Sequence, residues 1–263
     1  MKIAAIQMCS SQFVDENLKT AERLIAEAAQ NQAKLLVLPE MFSIMGEKET
    51  DKVKVREEVG KGNIQSFLSE QARKHHIWIV GGTIPISCDN STKIRAACLV
   101  YDDQGKQVAR YDKSHLFDVS LSDAEVYKES DTTEPGSECV VVDTPVGRVG
   151  LAVCYDLRFP GLFLELAARG AEIIVVPSAF TKKTGEAHWE LLMRARAIDT
   201  FCYLVGSAQG GVHPNGRHTF GNSMIVDPWG LISAKKEGVA PGVIYATINL
   251  DYLREIRRSI GFV

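Results

Sequence analysis

Short apolar runs of β type alternate along the chain with stretches of helical periodicity, and this alternation constrains the fold more than any other feature. Strand-like runs fall at residues 3–8, 34–38, 77–81, 96–101, 149–153, 173–176, 203–207, 223–226 and 243–248. Helical patterns fall at 16–30, 64–75, 161–169, 187–200 and 252–258. In the first of these, Leu18, Ala21, Leu24, Ile25 and Ala28 recur at three and four spacing and make one buried face. Strands separated by amphipathic helices predict a layered, β-rich α/β fold. Turn residues such as Asp102-Asp103-Gln104-Gly105 and Asp227-Pro228-Trp229-Gly230 punctuate the pattern without forming a linker, so residues 1–263 read as a single domain. Two connections, 41–61 and 114–136, are long, polar and aperiodic, which is where functional loops are found.

Composition narrows the function. Hydrophobic residues make up 45% and charged residues 24%, the proportions of an ordinary globular protein. A formal net charge of −3, with no long run of Lys and Arg, gives no footprint for nucleic acid. The apolar start, Met1 to Met8, is broken by Gln7 and Ser10 before it reaches signal-peptide length. No apolar stretch approaches the roughly 18 to 20 residues that span a bilayer, so neither a membrane nor a secreted location is expected and the cytoplasm is. The cysteines, Cys9, Cys88, Cys98, Cys139, Cys154 and Cys202, form no CxxC pair and have no His at metal-ligand spacing. Reduced thiols and no metal are therefore expected.

Chemistry concentrates at strand ends. In Gly150-Leu151-Ala152-Val153-Cys154-Tyr155-Asp156-Leu157-Arg158-Phe159-Pro160 an apolar strand ends at Cys154, and Pro160 opens a helical pattern. A cysteine on such a turn is either plain core or a raised nucleophile. In the second case, turn N–H groups face a developing oxyanion and helix-terminal charge favours the thiolate. In Leu35-Leu36-Val37-Leu38-Pro39-Glu40, Pro39 ends regular pairing and leaves Glu40 at the rim of a sheet, as a solvated carboxylate or a partly desolvated general base. Arg110-Tyr111-Asp112-Lys113-Ser114-His115-Leu116-Phe117-Asp118 ends another strand. Lys113 there either faces solvent or steadies a thiolate and an oxyanion, and His115 reads as a hydrogen-bonded loop anchor. Glu129 is a further carboxylate that could orient Lys113, or simply belong to a hydrated acidic loop.

Together these pieces resemble the nitrilase superfamily of carbon–nitrogen hydrolases, whose members carry Glu, Lys and Cys in this chain order. The likeness runs from Lys2 to about Arg258. Within the superfamily it is strongest to the branch of deaminated glutathione amidases and omega-amidases. It is carried by Pro177-Ser178-Ala179-Phe180, by Thr184-Gly185-Glu186-Ala187-His188-Trp189-Glu190, and by Met193-Arg194-Ala195-Arg196-Ala197-Ile198-Asp199. Ala208-Gln209-Gly210-Gly211, His213 and Gly221-Asn222-Ser223-Met224-Ile225-Val226-Asp227-Pro228-Trp229-Gly230 look more like the deaminated glutathione amidases. Cys-Tyr-Asp-Leu-Arg is unlike the Cys-Trp-Glu of nitrile-cleaving members. The resemblance implies a four-layer α-β-β-α sandwich and a homodimer packed through helices. Many relatives continue past Val263 with a basic tail, so a tail-mediated dimer contact is not expected here.

It also implies a mechanism. Glu40 takes the thiol proton, Cys154 attacks a small carboxylate-bearing amide, and the Tyr155 N–H and Lys113 hold the oxyanion. Glu40 then protonates departing ammonia and activates the water that clears a thioester, with Glu129 as second carboxylate and no cofactor. Ser178, Phe180 and His188 follow a strand expected to end on the same rim, as pocket walls or as turn and cap residues. The alternatives are an omega-amidase, an N-carbamoyl amino acid amidohydrolase, or a thiol-based binding or redox-sensing protein on the same fold.

Overall fold

The computed structural model describes residues 1–122 and 125–261. Phe262 and Val263, the end of the sequence, lie outside the described residues. Lys2–Gln7 pairs in parallel with Leu35–Val37, which pairs in parallel with Trp78–Val80. Gly242–Thr247 flanks one side of this group, and Ile94–Tyr101 with Ile84–Ser87 and Gln107–Asp112 extends the other. A second sheet runs in the order Ile232–Lys235, Met224–Val226, Tyr203–Ala208, Ile173–Ser178, Gly147–Leu151, Val141–Thr144, parallel at its centre and antiparallel at its edges.

Because side chains alternate along a strand, a strand apolar throughout must bury both faces. Lys2–Gln7 does so. Ile3 and Ala5 enter a core shared with Val149, Leu151, Val175 and Val205 of the second sheet. Ala4 and Ile6 enter a separate core against Leu18, Leu24 and Ile25 of the helix Val14–Gln30 and Leu68 of the helix Asn63–His75. The outer face of the second sheet is covered by Phe163 and Leu166 of Pro160–Ala168 and by Met193 and Ala197 of Glu190–Thr200. The layers are thus helix, sheet, sheet, helix: the α-β-β-α sandwich. Between the sheets, Ser207 Oγ donates to Ile6 O, and Met8 bridges to Gln209.

The helices sit where periodicity predicts, with shifts at their ends. Pro160 opens its helix at the first position, where a missing N–H costs nothing. The last helix, expected at 252–258, spans Leu250–Ile260 because Asn249 Oδ1 accepts from the Asp251 and Tyr252 N–H groups. The helical stretch expected at 187–200 begins as a π turn, Gly185–Trp189, before Glu190–Thr200. Both long connections carry structure. Asp51–Lys54 is a helical turn in the first, and the second holds the strands Asp118–Ser122 and Glu125–Lys128 and the short 3-10 turn Glu129–Asp131. Among the described residues no helix is long and apolar enough to cross a membrane.

Candidate active site

Several strands deliver chemistry as they end on one rim. Pairing of the strand through Leu35–Val37 continues to Leu38, whose N–H donates to Val80 O at 2.9 Å, and stops at Pro39. Glu40 follows, 4% exposed. It is held by Gln209, whose Nε2 donates to Glu40 O at 3.0 Å, and by the turn at Met41, whose N–H donates to Thr83 Oγ1 at 2.9 Å. Gly82, at φ +56°, passes so close to Pro39 O that any Cβ would collide with it.

Lys113 lies one residue past Gln107–Asp112 and is 2% exposed, with its own N–H on Ala96 O at 3.1 Å. Its Nζ donates to Glu40 Oε1 and to Glu129 Oε2, both at 2.8 Å. Glu129 Oε2 also accepts from the Phe117 N–H at 2.7 Å, which fixes it from the loop side. Burial works against the Lys113 ammonium, but Glu129 and Glu40 outweigh it and hold its pKa well above the ordinary lysine value. Burial likewise works against an ionised Glu129, and Lys113 and Lys52 reverse that and lower its pKa.

Cys154 opens the 3-10 turn Cys154–Arg158 at φ +47°, a left-handed conformation rare for a residue with a side chain. Asp156, fully buried, holds that turn. Its Oδ2 accepts from the Val153 N–H and the Tyr111 hydroxyl, both at 2.8 Å. Its Oδ1 accepts from the His115 N–H at 3.0 Å and faces His115 Nδ1 at 2.7 Å. The His115 ring also stacks on Phe159 at 3.6 Å, which makes it the loop anchor expected. One buried carboxylate therefore ties the cysteine turn to the lysine loop. The Ala179 N–H points at Cys154 Sγ from 3.5 Å.

The thiol departs from expectation in one respect. Burial, then the hydrogen-bonding Glu40 carboxylate, push the Cys154 pKa well up, and Lys113 and the Ala179 N–H only partly oppose them, so the surroundings as a whole disfavour the thiolate expected on this turn. One ammonium between two carboxylates leaves more negative than positive side chains around the sulfur, which works against a thiolate. The Glu40 carboxylate hydrogen-bonds this thiol and is placed where a group able to accept its proton would have to be.

The four groups face a cavity of about 350 Å³. Phe117, Tyr127, Tyr155 and Phe180 give it aromatic walls, and Glu47, Glu49, Lys52, Arg158 and Arg217 bring charge. Of the sequence-derived pocket residues, Phe180 lines this cavity, and Tyr155 does so beside the cysteine. Ser178 and His188 are not among its lining. Ser178 is fully buried with its Oγ turned back to Val176 O at 3.0 Å, and His188 is exposed with Nδ1 against Arg158 Nη2 at 3.3 Å. Asp156, Lys52 and Arg217 went unassigned in the sequence. An acid two residues past the cysteine is a readable signal for the first, whereas the two cations sit in aperiodic loops that carry none.

A sandwich whose inner sheets present a buried Glu-Lys-Cys cluster with a second Glu defines a class, and residues 2–258 match the carbon-nitrogen hydrolase family, so the chain belongs to that family. It is an amidase, a hydrolase of carbon–nitrogen bonds other than peptide bonds. It is 45% identical over 260 residues to the deaminated glutathione amidase of Yersinia enterocolitica, covering 98% of this chain and 90% of that one. Against the human deaminated glutathione amidase the identity is 41%, over 98% of this chain and 80% of that one. The crystal structure of Saccharomyces cerevisiae Nit3, a member of branch 10 of the nitrilase superfamily, superposes with a TM-score of 0.89 at 32% identity, covering all of this chain and 95% of that one.

Proposed function

We propose that this protein hydrolyses the amide bond of a small carboxylate-bearing amide of the deaminated glutathione type, through a thioester on Cys154. The carrying observation is the contact of one buried ammonium, Lys113, with both Glu40 and Glu129 in a cavity that Cys154 also lines. As Cys154 Sγ bonds to the amide carbon, its proton passes to Glu40 and the carbonyl electron pair moves to oxygen. Lys113 and the Tyr155 N–H stabilise that oxyanion. When the tetrahedral species collapses, the carbon–nitrogen bond breaks and the nitrogen takes the proton from Glu40. Water then attacks the thioester carbon and gives one proton to Glu40; the carbon–sulfur bond breaks, the acid product leaves, and Glu40 returns that proton to sulfur. Glu129 keeps Lys113 charged and aimed. Every proton and charge in this route has a side chain to carry it, and no cofactor enters.

The leaving group refines the expectation of ammonia. A primary ω-amide releases ammonia, but the amide of deaminated glutathione is secondary, so its nitrogen leaves as the amine of the cysteinyl residue. The substrate reading is supported by the names of the Yersinia and human relatives and by guanidinium groups in the cavity wall. We further propose one domain over residues 1–263, a cytoplasmic location and a homodimer, in keeping with the sequence expectations. The test is a kinetic panel of deaminated glutathione, an α-keto acid ω-amide and an N-carbamoyl amino acid, with amine, ammonia and carbon dioxide followed separately. Highest kcat/KM on deaminated glutathione, with no carbon dioxide from any arm, is expected. A preference for the carbamoyl compound would overturn the reading.

A further inference from the structure

A carboxylate on the substrate needs a cation that no protein carboxylate already occupies. Lys113 is held by Glu40 and Glu129, Lys52 Nζ by Glu49 at 2.9 Å, and Lys128 Nζ by Asp131 at 3.6 Å. Among the described residues lining the cavity, this leaves two guanidinium groups without an ion pair. Arg158 lies over the rings of Tyr155 and Phe180, at 5.8 and 5.6 Å, and against His188. Arg217 is less satisfied. Its guanidinium lies 5.1 Å from the centre of the Tyr127 ring and donates one hydrogen bond among the described residues, from Nη2 to Ala179 O at 2.9 Å, and its buried Nε has no partner among them. A guanidinium carries five N–H donors, and an unanswered buried one costs free energy that an arriving acceptor recovers.

Its position relative to the nucleophile is the second observation. The peptide unit on the amide side of Ala179 points its N–H at Cys154 Sγ, and the carbonyl of the same residue accepts from Arg217. Arg217 and the thiol are thus held on the two sides of one residue at a strand end. A substrate with its carbonyl on the sulfur and a carboxylate a few carbons away meets both. We infer that Arg217 receives the carboxylate on the acyl side of the substrate and sets the preference for acidic over neutral amides. This inference rests on the amidase reading of the site. The planar fork matches two carboxylate oxygens, which a lysine at the same place cannot reproduce.

The experiment compares the full chain and its Arg217→Met, Arg217→Lys and Arg158→Met variants on two ω-amides identical except that a methyl group replaces the carboxylate in one. The readout is the ratio of kcat/KM for the acidic over the neutral amide, which is internal to each variant and independent of how much of it folds. Arg217→Met is expected to lower that ratio by roughly 30-fold or more, the loss that follows removal of one partner of a desolvated, hydrogen-bonded charge pair. Arg217→Lys recovers it only in part, and Arg158→Met changes it far less. An unchanged ratio in Arg217→Met, or a fall seen in Arg158→Met instead, overturns the assignment. The amidase reading fails separately: it falls if the unsubstituted chain cleaves neither amide, or if cleavage survives loss of Cys154.

Discussion

Cys154 combines a left-handed backbone, near-complete burial and a neighbouring carboxylate, and each of these has a measurable consequence. Its raised pKa means that alkylation by uncharged iodoacetamide, followed on the Cys154 peptide, should keep rising as pH passes the free-cysteine midpoint near 8.5. A rate that levels off at pH 6 to 7 would show a resting thiolate and contradict the proton route. Cys154→Ala should fold and lose roughly 10⁴-fold or more of kcat, as removal of a covalent nucleophile does. Glu129 makes a different prediction. Its pKa is lowered on folding, so its contribution to stability is present above the ordinary glutamate value and is lost as pH falls through the depressed one. Glu129→Gln should therefore cost about 1 to 3 kcal/mol near pH 7, read by urea unfolding, and progressively less on moving below pH 4. Turnover should fall as well, because Lys113 loses one of the two carboxylate charges that hold it.

At the scale of elements, the central strands were legible because both of their faces are buried: the apolar run 173–176 falls within Ile173–Ser178, which is buried throughout. Several edge strands were not. Ile84–Ser87 contains Pro85, Val141–Thr144 is half-exposed, and Asp118–Ser122 with Glu125–Lys128 form a polar hairpin inside what reads as a loop. The site divides along the same line. Glu40, Lys113 and Cys154 follow strands that announce where they end. Lys52 and Arg217 reach the cavity only through tertiary folding of loops, which no local period encodes. Asp156 joins two such loops and accepts from Tyr111, Val153 and His115. Asp156→Asn puts amide hydrogens against groups that themselves donate, and should cost about 2 to 4 kcal/mol in urea unfolding and lower kcat, since the cysteine turn and lysine loop lose their common anchor. Equal stability of this variant and the parent chain would remove Asp156 from that role.

The whole molecule is built as two sheets pressed together, with the groups that line the cavity divided between them: Glu40 and Lys113 follow strands of one sheet, and Cys154 and Ala179 follow strands of the other. Sheet-to-sheet packing therefore sets the distance between the proposed base, Glu40, and the proposed nucleophile, Cys154. Gln209 crosses that boundary, accepting from the Ser10 N–H at 3.0 Å and donating to Ser10 Oγ at 2.8 Å and Glu40 O at 3.0 Å. The proposed thioester on Cys154 requires these two halves to meet. Its most direct test is the mass of the protein acid-quenched during turnover of a slowly deacylated amide. The account predicts a mass increase equal to the acyl portion of the substrate, located on the peptide that contains Cys154 and removed by hydroxylamine. Multiple turnovers with Cys154 unmodified at every quench time, on a substrate whose deacylation is the slow step, would contradict it.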